Sequence, residues 1–186
     1  GKVEAVGDEV LSPYWVRASA APARVVQLAA MHTQGNTATL RWHPKGSATL
    51  TRLITHAGSD GQSLLPHRED GALGPLSARF SPTTAFGFNA DGEWSDPTRN
   101  TQEKPGGGYG YHMRFWVAKD LNGKVIPGTY IMGMGYLGIN YDYQDNLYLI
   151  RNIVPVSGPS APTGATATGS GGGIFVNWTD NPETNV

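Results

Sequence analysis

A chain of 186 residues has room for one good-sized domain and part of another. With 14 Lys+Arg against 15 Asp+Glu the net charge is −1, so the basic footprint of a nucleic-acid or anionic-membrane binder is missing. The lack of cysteine excludes disulfides and thiolate metal centres, and no apolar run approaches the ~18 residues of a membrane-spanning helix.

Charged residues make up only 16% while Gly (25) and Pro (13) abound. That mixture suits many short strands joined by tight turns, and no window carries sustained helical spacing. The chain begins at Gly1 with neither a Met nor a signal-like apolar segment, which reads as a processed product or a fragment of something longer.

In chain order, residues 1–23 read as the tail of a preceding domain or an edge strand, followed by a small-residue linker. The apolar patch Val10–Val16 contains Pro13, which cannot donate to a central ladder. A main domain spans 24–155. Its strand candidates are Val25–His32, Thr37–His43, Thr49–His56, Ala78–Phe80 and Ala85–Phe88. The polar, Gly-rich stretch Asp91–Gly110 is a loop long enough to be functional or flexible. Tyr111–Lys119 alternates most cleanly, with Met113, Phe115 and Val117 on one face and His112, Arg114 and Trp116 on the other. Asn122-Gly123 is a hairpin signal that leads back through Thr129–Met134. The acidic turn Asp142-Tyr143-Gln144-Asp145 then opens a closing strand at Leu147–Ile150. Residues 156–173 form a linker with the first strand of a next domain, and 174–186 a partial second strand. The fold class is therefore all-β, an antiparallel β-sandwich of about eight to ten strands, jelly-roll-like.

The tail from Pro159 through Asn181, with a Pro-rich entry and the strand Ile174–Trp178, resembles the first two strands of a fibronectin type III domain. Trp178 stands where that family carries its core tryptophan. The match covers only 157–186, whereas a whole sandwich of that type needs about 90–100 residues. Residues 24–155 resemble an uncharacterised β-sandwich module of large secreted or surface proteins of bacteria, on Leu28–Gly35, His112–Phe115, Asp120–Pro127 and Asp142–Asp145. The last piece is also similar to calcium-site loops of bacterial surface domains, although Gly135 stands where an acidic residue would be expected. These resemblances imply an extracellular or cell-surface location.

Two constellations carry chemistry. Asp142 and Asp145 with Asn140 can supply oxygen ligands for calcium, or cap a turn by local hydrogen bonds. Trp116, His112, Arg114, Trp94, Tyr136 and Tyr141 form a candidate polar-aromatic platform for carbohydrate, with burial in a core or interface as the plain alternative. Asp91, Glu93 and Asp96 read as a solvated loop, because the EF-hand's downstream Glu is missing. The five histidines have no shared-face spacing and read as scattered polar strand residues. No nucleophile elbow occurs, and nothing in the spacing sets Glu93 and Asp142 at a glycosidase separation. The expectation is a non-catalytic extracellular module that binds carbohydrate or a cell-surface polymer, with calcium as its cofactor. A structural spacer self-associating by strand addition is the first alternative. An accessory domain of a polysaccharide-active enzyme is the second.

Overall fold

Strand β11 (Asn146–Arg151) shows how the sequence builds this fold: Asn146, Tyr148 and Ile150 are buried, and Leu147 and Leu149 between them are only half-buried. The computed structural model describes residues 6–72, 74–101, 110–138, 142–156, 163–170 and 173–179. It divides the chain into two units, Gly1–Val156 and Ser157–Val186. The first unit contains β1 (Trp15–Arg17), β2 (Ala23–Met31), β3 (Thr39–Pro44), β4 (Thr51–Thr55), β5 (Gln62–Leu64) and β6 (Ser77–Phe80). After these come β7 (Phe86–Ala90), β8 (Glu93–Trp94), β9 (Met113–Lys119), β10 (Val125–Met134), β11 and β12 (Ile153–Pro155).

One sheet has the order β12-β1-β7-β3-β4, with β8 on β7. The other has the order β5-β2-β11-β10-β9, with β6 also on β2. Every pairing of named strands is antiparallel. The chain is thus the all-β antiparallel sandwich its composition points to. At Asn122-Gly123, Gly123 takes φ +77° and donates to Asp120 O, while the Asp120 carboxylate collects the Asn122 and Lys124 N–H groups. This turn fixes the β9–β10 hairpin.

The two sheets meet over Trp15. Its ring lies 4.7 Å from both Phe115 and Tyr130, and it is fully buried. Residues 10–16, expected as an edge strand or a foreign tail, instead feed a central strand: β1 lies between β12 and β7. Pro13 falls two residues before the ladder begins at Trp15, so it costs no sheet hydrogen bond. Just upstream, Asp8–Val10 lies along the outer edge of β9, with Val10 N donating to Phe115 O (2.8 Å) and Val117 N to Asp8 O (3.1 Å). That strap covers an edge that would otherwise be open to pairing.

In the second unit, β13 (Thr163–Ser170) and β14 (Gly173–Thr179) form an antiparallel two-stranded sheet. The side chain of Trp178 and residues 180–186 lie outside the described residues.

Candidate functional site

The inward residues of β11 change character along the strand. Ile150 is in the apolar core, Tyr148 carries a buried hydroxyl, and Asn146 is a buried amide. Beyond Asn146 the chain reaches Asp145 and a cleft of about 620 Å³, within the range of small-molecule sites. Three connections build its walls. The β2–β3 loop gives His32, Thr33, Asn36 and Thr37, the β7–β8 turn gives Asp91, and the β10–β11 connection gives Tyr136, Leu137, Asp142 and Asp145.

Tyr136 ties the walls together. Its hydroxyl donates to Asp91 Oδ2 (2.9 Å), its N–H to Asp145 Oδ2 (2.9 Å), and its ring stands edge-on to His32. Burial first, then the Asp91 charge, pushes its phenol far above the ordinary value, so it stays a neutral donor. Asp91 takes φ +47° at the tight β7–β8 turn, which lets Oδ1 accept the Thr39 N–H at 3.0 Å. Arg41, 3.8 Å from Asp91, makes the only ion pair to the three cleft carboxylates among the described residues. The cleft is therefore electronegative, a setting for cations or for hydroxyl donors.

Below it lies a layer of buried polar groups. Gln27 Nε2 donates to Asn146 Oδ1 (2.9 Å), and both residues are sealed from solvent. His112 Nδ1 donates to the Glu93 carboxylate, whose other oxygen accepts the Leu137 N–H at 3.2 Å. His32 and His56 face each other with Nε2 atoms 2.7 Å apart. Burial, reinforced by the neighbouring His56, lowers the His32 pKa below 6.5. The Tyr148 hydroxyl and Gln27 Oε1 are buried without a hydrogen-bond partner among the described residues, an arrangement that costs stability.

The residues singled out in the sequence go to four places. Tyr136, Asp142 and Asp145 meet in the cleft. Arg114 and Trp116 lie on the outer face of β9, where Arg114 pairs with buried Glu9 and sits 5.3 Å from the Tyr143 ring centroid. Trp116 meets the edge of the same Tyr143 ring. Gly133 lets them close up, because a Cβ there would stand 2.7 Å from Tyr143 O and 3.2 Å from the Trp116 ring. Trp94 belongs to the opposite sheet, with the Arg99 guanidinium stacked 3.2 Å over it and His43 at its edge. His112 does not share the face of Arg114 and Trp116. Its N–H turns back to Gly110 O, which ends the alternation before Met113 and points the ring inward at Glu93. Asn140 and Tyr141 lie outside the described residues.

For calcium, the fit is partial. Asp145 Oδ2 is engaged by Tyr136 N–H, Asp142 Oδ2 by Gln144 Nε2 (2.9 Å), and Asp91 by Thr39 and Tyr136. No three His, Asp or Glu side chains converge on one point among the described residues. The loop Asp91–Asp96 is not uniformly solvated: Glu93 is buried, and Asp96 caps the short turn Pro97–Arg99 through Thr98 N–H. The sequence offered no spacing to find His32 and His56, which are 24 residues apart. The one usable sign was that each directly ends a strand-like run.

No family model, curated protein or solved structure matches this chain.

Proposed function

We propose that the first unit is a non-catalytic binding module of a secreted or surface-exposed bacterial protein. Its ligand is a carbohydrate or similar polyhydroxylated polymer seated in the cleft. The observation that carries this is that Asp91, Asp142, Asp145 and Tyr136 line one cleft large enough for a sugar unit. Carboxylates accept hydroxyl hydrogens in the strong, charge-assisted way, and the Tyr136 ring offers a face for sugar C–H groups. The Thr39 N–H and the Tyr136 hydroxyl and N–H hold the Asp91 and Asp145 acceptors in place before a ligand arrives, which lowers the ordering cost of binding. Calcium belongs to the same proposal as a bridging ion, held by carboxylate oxygens, loop carbonyls and ligand hydroxyls.

A glycan panel read by calorimetry tests this, with Asp91→Asn, Asp145→Asn and Trp116→Ala as variants. Loss of affinity by tenfold or more in the aspartate variants, with Trp116→Ala unchanged, supports the cleft. The opposite pattern moves the ligand to the outer face of β9. No binding to any glycan, with or without calcium, sinks the carbohydrate proposal.

One observation favours a second reading, a spacer that assembles by strand addition. Among the described residues the β13–β14 sheet has two strands, and a pair of that size is marginal until further strands join it. Its likeness to the start of a fibronectin type III domain belongs to this reading too. Concentration-dependent growth in scattering mass, with no glycan bound, would favour it.

A further inference from the structure

His56 Nε2 is the meeting point of the loop that walls the cleft. It faces His32 Nε2 at 2.7 Å and also accepts the Ala38 N–H at 3.0 Å, so both ends of segment 32–38 are fastened to one atom. Thr33, Asn36 and Thr37, which line the cleft, lie between those ends. His32 is 6% exposed, Ala38 1% and His56 0%, so water does not replace these bonds.

Counting hydrogens defines the states of the pair. His56 Nδ1 is 2.7 Å from Ala57 O and must carry a hydrogen, because a carbonyl only accepts. His56 Nε2 is therefore the bare acceptor for Ala38, and the hydrogen between the rings belongs to His32 Nε2. His32 Nδ1, 3.2 Å from Thr33 O, is the longest of these contacts. With its hydrogen on Nε2, neutral His32 presents a bare Nδ1 to that carbonyl, so a first added proton goes there, makes the bond to Thr33 O and leaves the fastening intact. A second added proton has only His56 Nε2 left. There it sets N–H against N–H on both sides, expelling the His32 ring and the Ala38 amide together.

We propose that the His32–His56 pair is an acid-released latch on the cleft wall, closed with no or one added proton and open with two. Burial already opposes protonation of His32, and a second imidazolium adds like-charge repulsion. The charged groups nearby act the other way: Asp145 and Asp91 favour the cationic pair, with Asp91 partly offset by Arg41. Asp60, on the turn after Ala57, is engaged by His67, and Tyr136 presents a neutral ring edge. A metal ion between the rings would call for a third protein ligand. Among the described residues no such group of three forms, and one added proton on His32 Nδ1 satisfies every contact of the pair without a metal.

The latch is independent of what the cleft binds, and amide exchange on the whole chain tests it. Between pH 7 and pH 5, after correction for intrinsic rate, Ala38 should lose at least tenfold protection relative to Ile150 in β11. In His56→Gln the ratio should be constant with pH. A constant ratio in the unmodified protein, or the same fall in His56→Gln, overturns the latch. If that variant does not fold, ring 15N shifts of the unmodified protein decide. His56 Nε2 must gain its hydrogen in the pH range where Ala38 loses protection, and a different range overturns the idea. One equivalent of zinc that shifts both ring signals and restores protection also overturns it, in favour of a metal site.

Discussion

The two ends of the sandwich interior are built on opposite principles. Around Trp15 the core is aromatic: the ring packs on Phe115 and Tyr130, in one buried cluster with Phe86, Phe88, Ile150 and Ile153. Beside the cleft the interior instead buries the Gln27–Asn146 amide pair, a histidine pair and the His112–Glu93 contact. The first arrangement gains stability from area removed from water. The second gains little net stability for each hydrogen bond and loses heavily when one partner is removed. A fold that keeps a polar interior beside an electronegative cleft accepts that cost where positioning matters.

The largest effect should come from the aromatic end. Trp15→Ala removes the ring that joins the sheets, and a loss of about 4 kcal/mol in urea unfolding is expected. A loss under about 1 kcal/mol would show that β1 is dispensable. At the polar end, Glu93→Leu strips His112 Nδ1 and the Leu137 N–H of their acceptor. About 3 kcal/mol should be lost. Leu137 lines the cleft, so weaker ligand binding should accompany the loss of stability.

Acid should weaken the fold through its buried histidines. Burial holds the pKa values of His32 and His43 below the ordinary 6.5. Each therefore contributes stability that is fully present above pH 6.5 and lost as pH falls through the depressed folded value. Asp96 behaves similarly at lower pH. Burial pushes its pKa up, but the Tyr14 hydroxyl and the Thr98 donors outweigh burial and hold it below 3.8. A urea midpoint that falls between pH 7 and 5 and again below pH 4 is expected, and a flat profile down to pH 5 would contradict the histidine part. The smallest effect separates the two ends most sharply. Tyr148→Phe deletes a buried hydroxyl that has no partner among the described residues, so stability should rise by up to about 1 kcal/mol. Ligand affinity should drop if that hydroxyl serves the cleft.

Much of this sandwich could be read from alternation and turn residues. The β9–β10–β11 meander follows from Met113-Phe115, the Asn122-Gly123 turn and the run Leu147–Ile150, because period-2 patterning and turn chemistry are local. The place of Trp15 was not legible. Its strand is three residues long, and its partners are Pro155 and Phe86, chosen by packing far along the chain. At the site, Asp142, Asp145 and Tyr136 were visible because they crowd one acidic, aromatic turn. Asp91, Thr33, Asn36 and the histidine pair come from three other connections, β7–β8, β2–β3 and β4–β5, and only the crossing of strands between sheets brings them to that turn. His112 was assigned to the wrong face because alternation cannot foresee the backbone turn to Gly110 O that precedes β9.

The pairing of β1 with β12 joins Trp15 to Pro155 and Arg17 to Ile153. Such distant contacts are slow to form, since the intervening chain must be ordered before they return any free energy. During synthesis, residues 15–17 leave the ribosome long before their partners exist. The sheet that contains them is complete only after β12 has emerged, and until then β7 is the one strand neighbour of β1 in it. Premature termination anywhere before residue 153 would leave β1 open on the edge that β12 covers, a ready handle for chaperones or proteases that recognise unfinished chains.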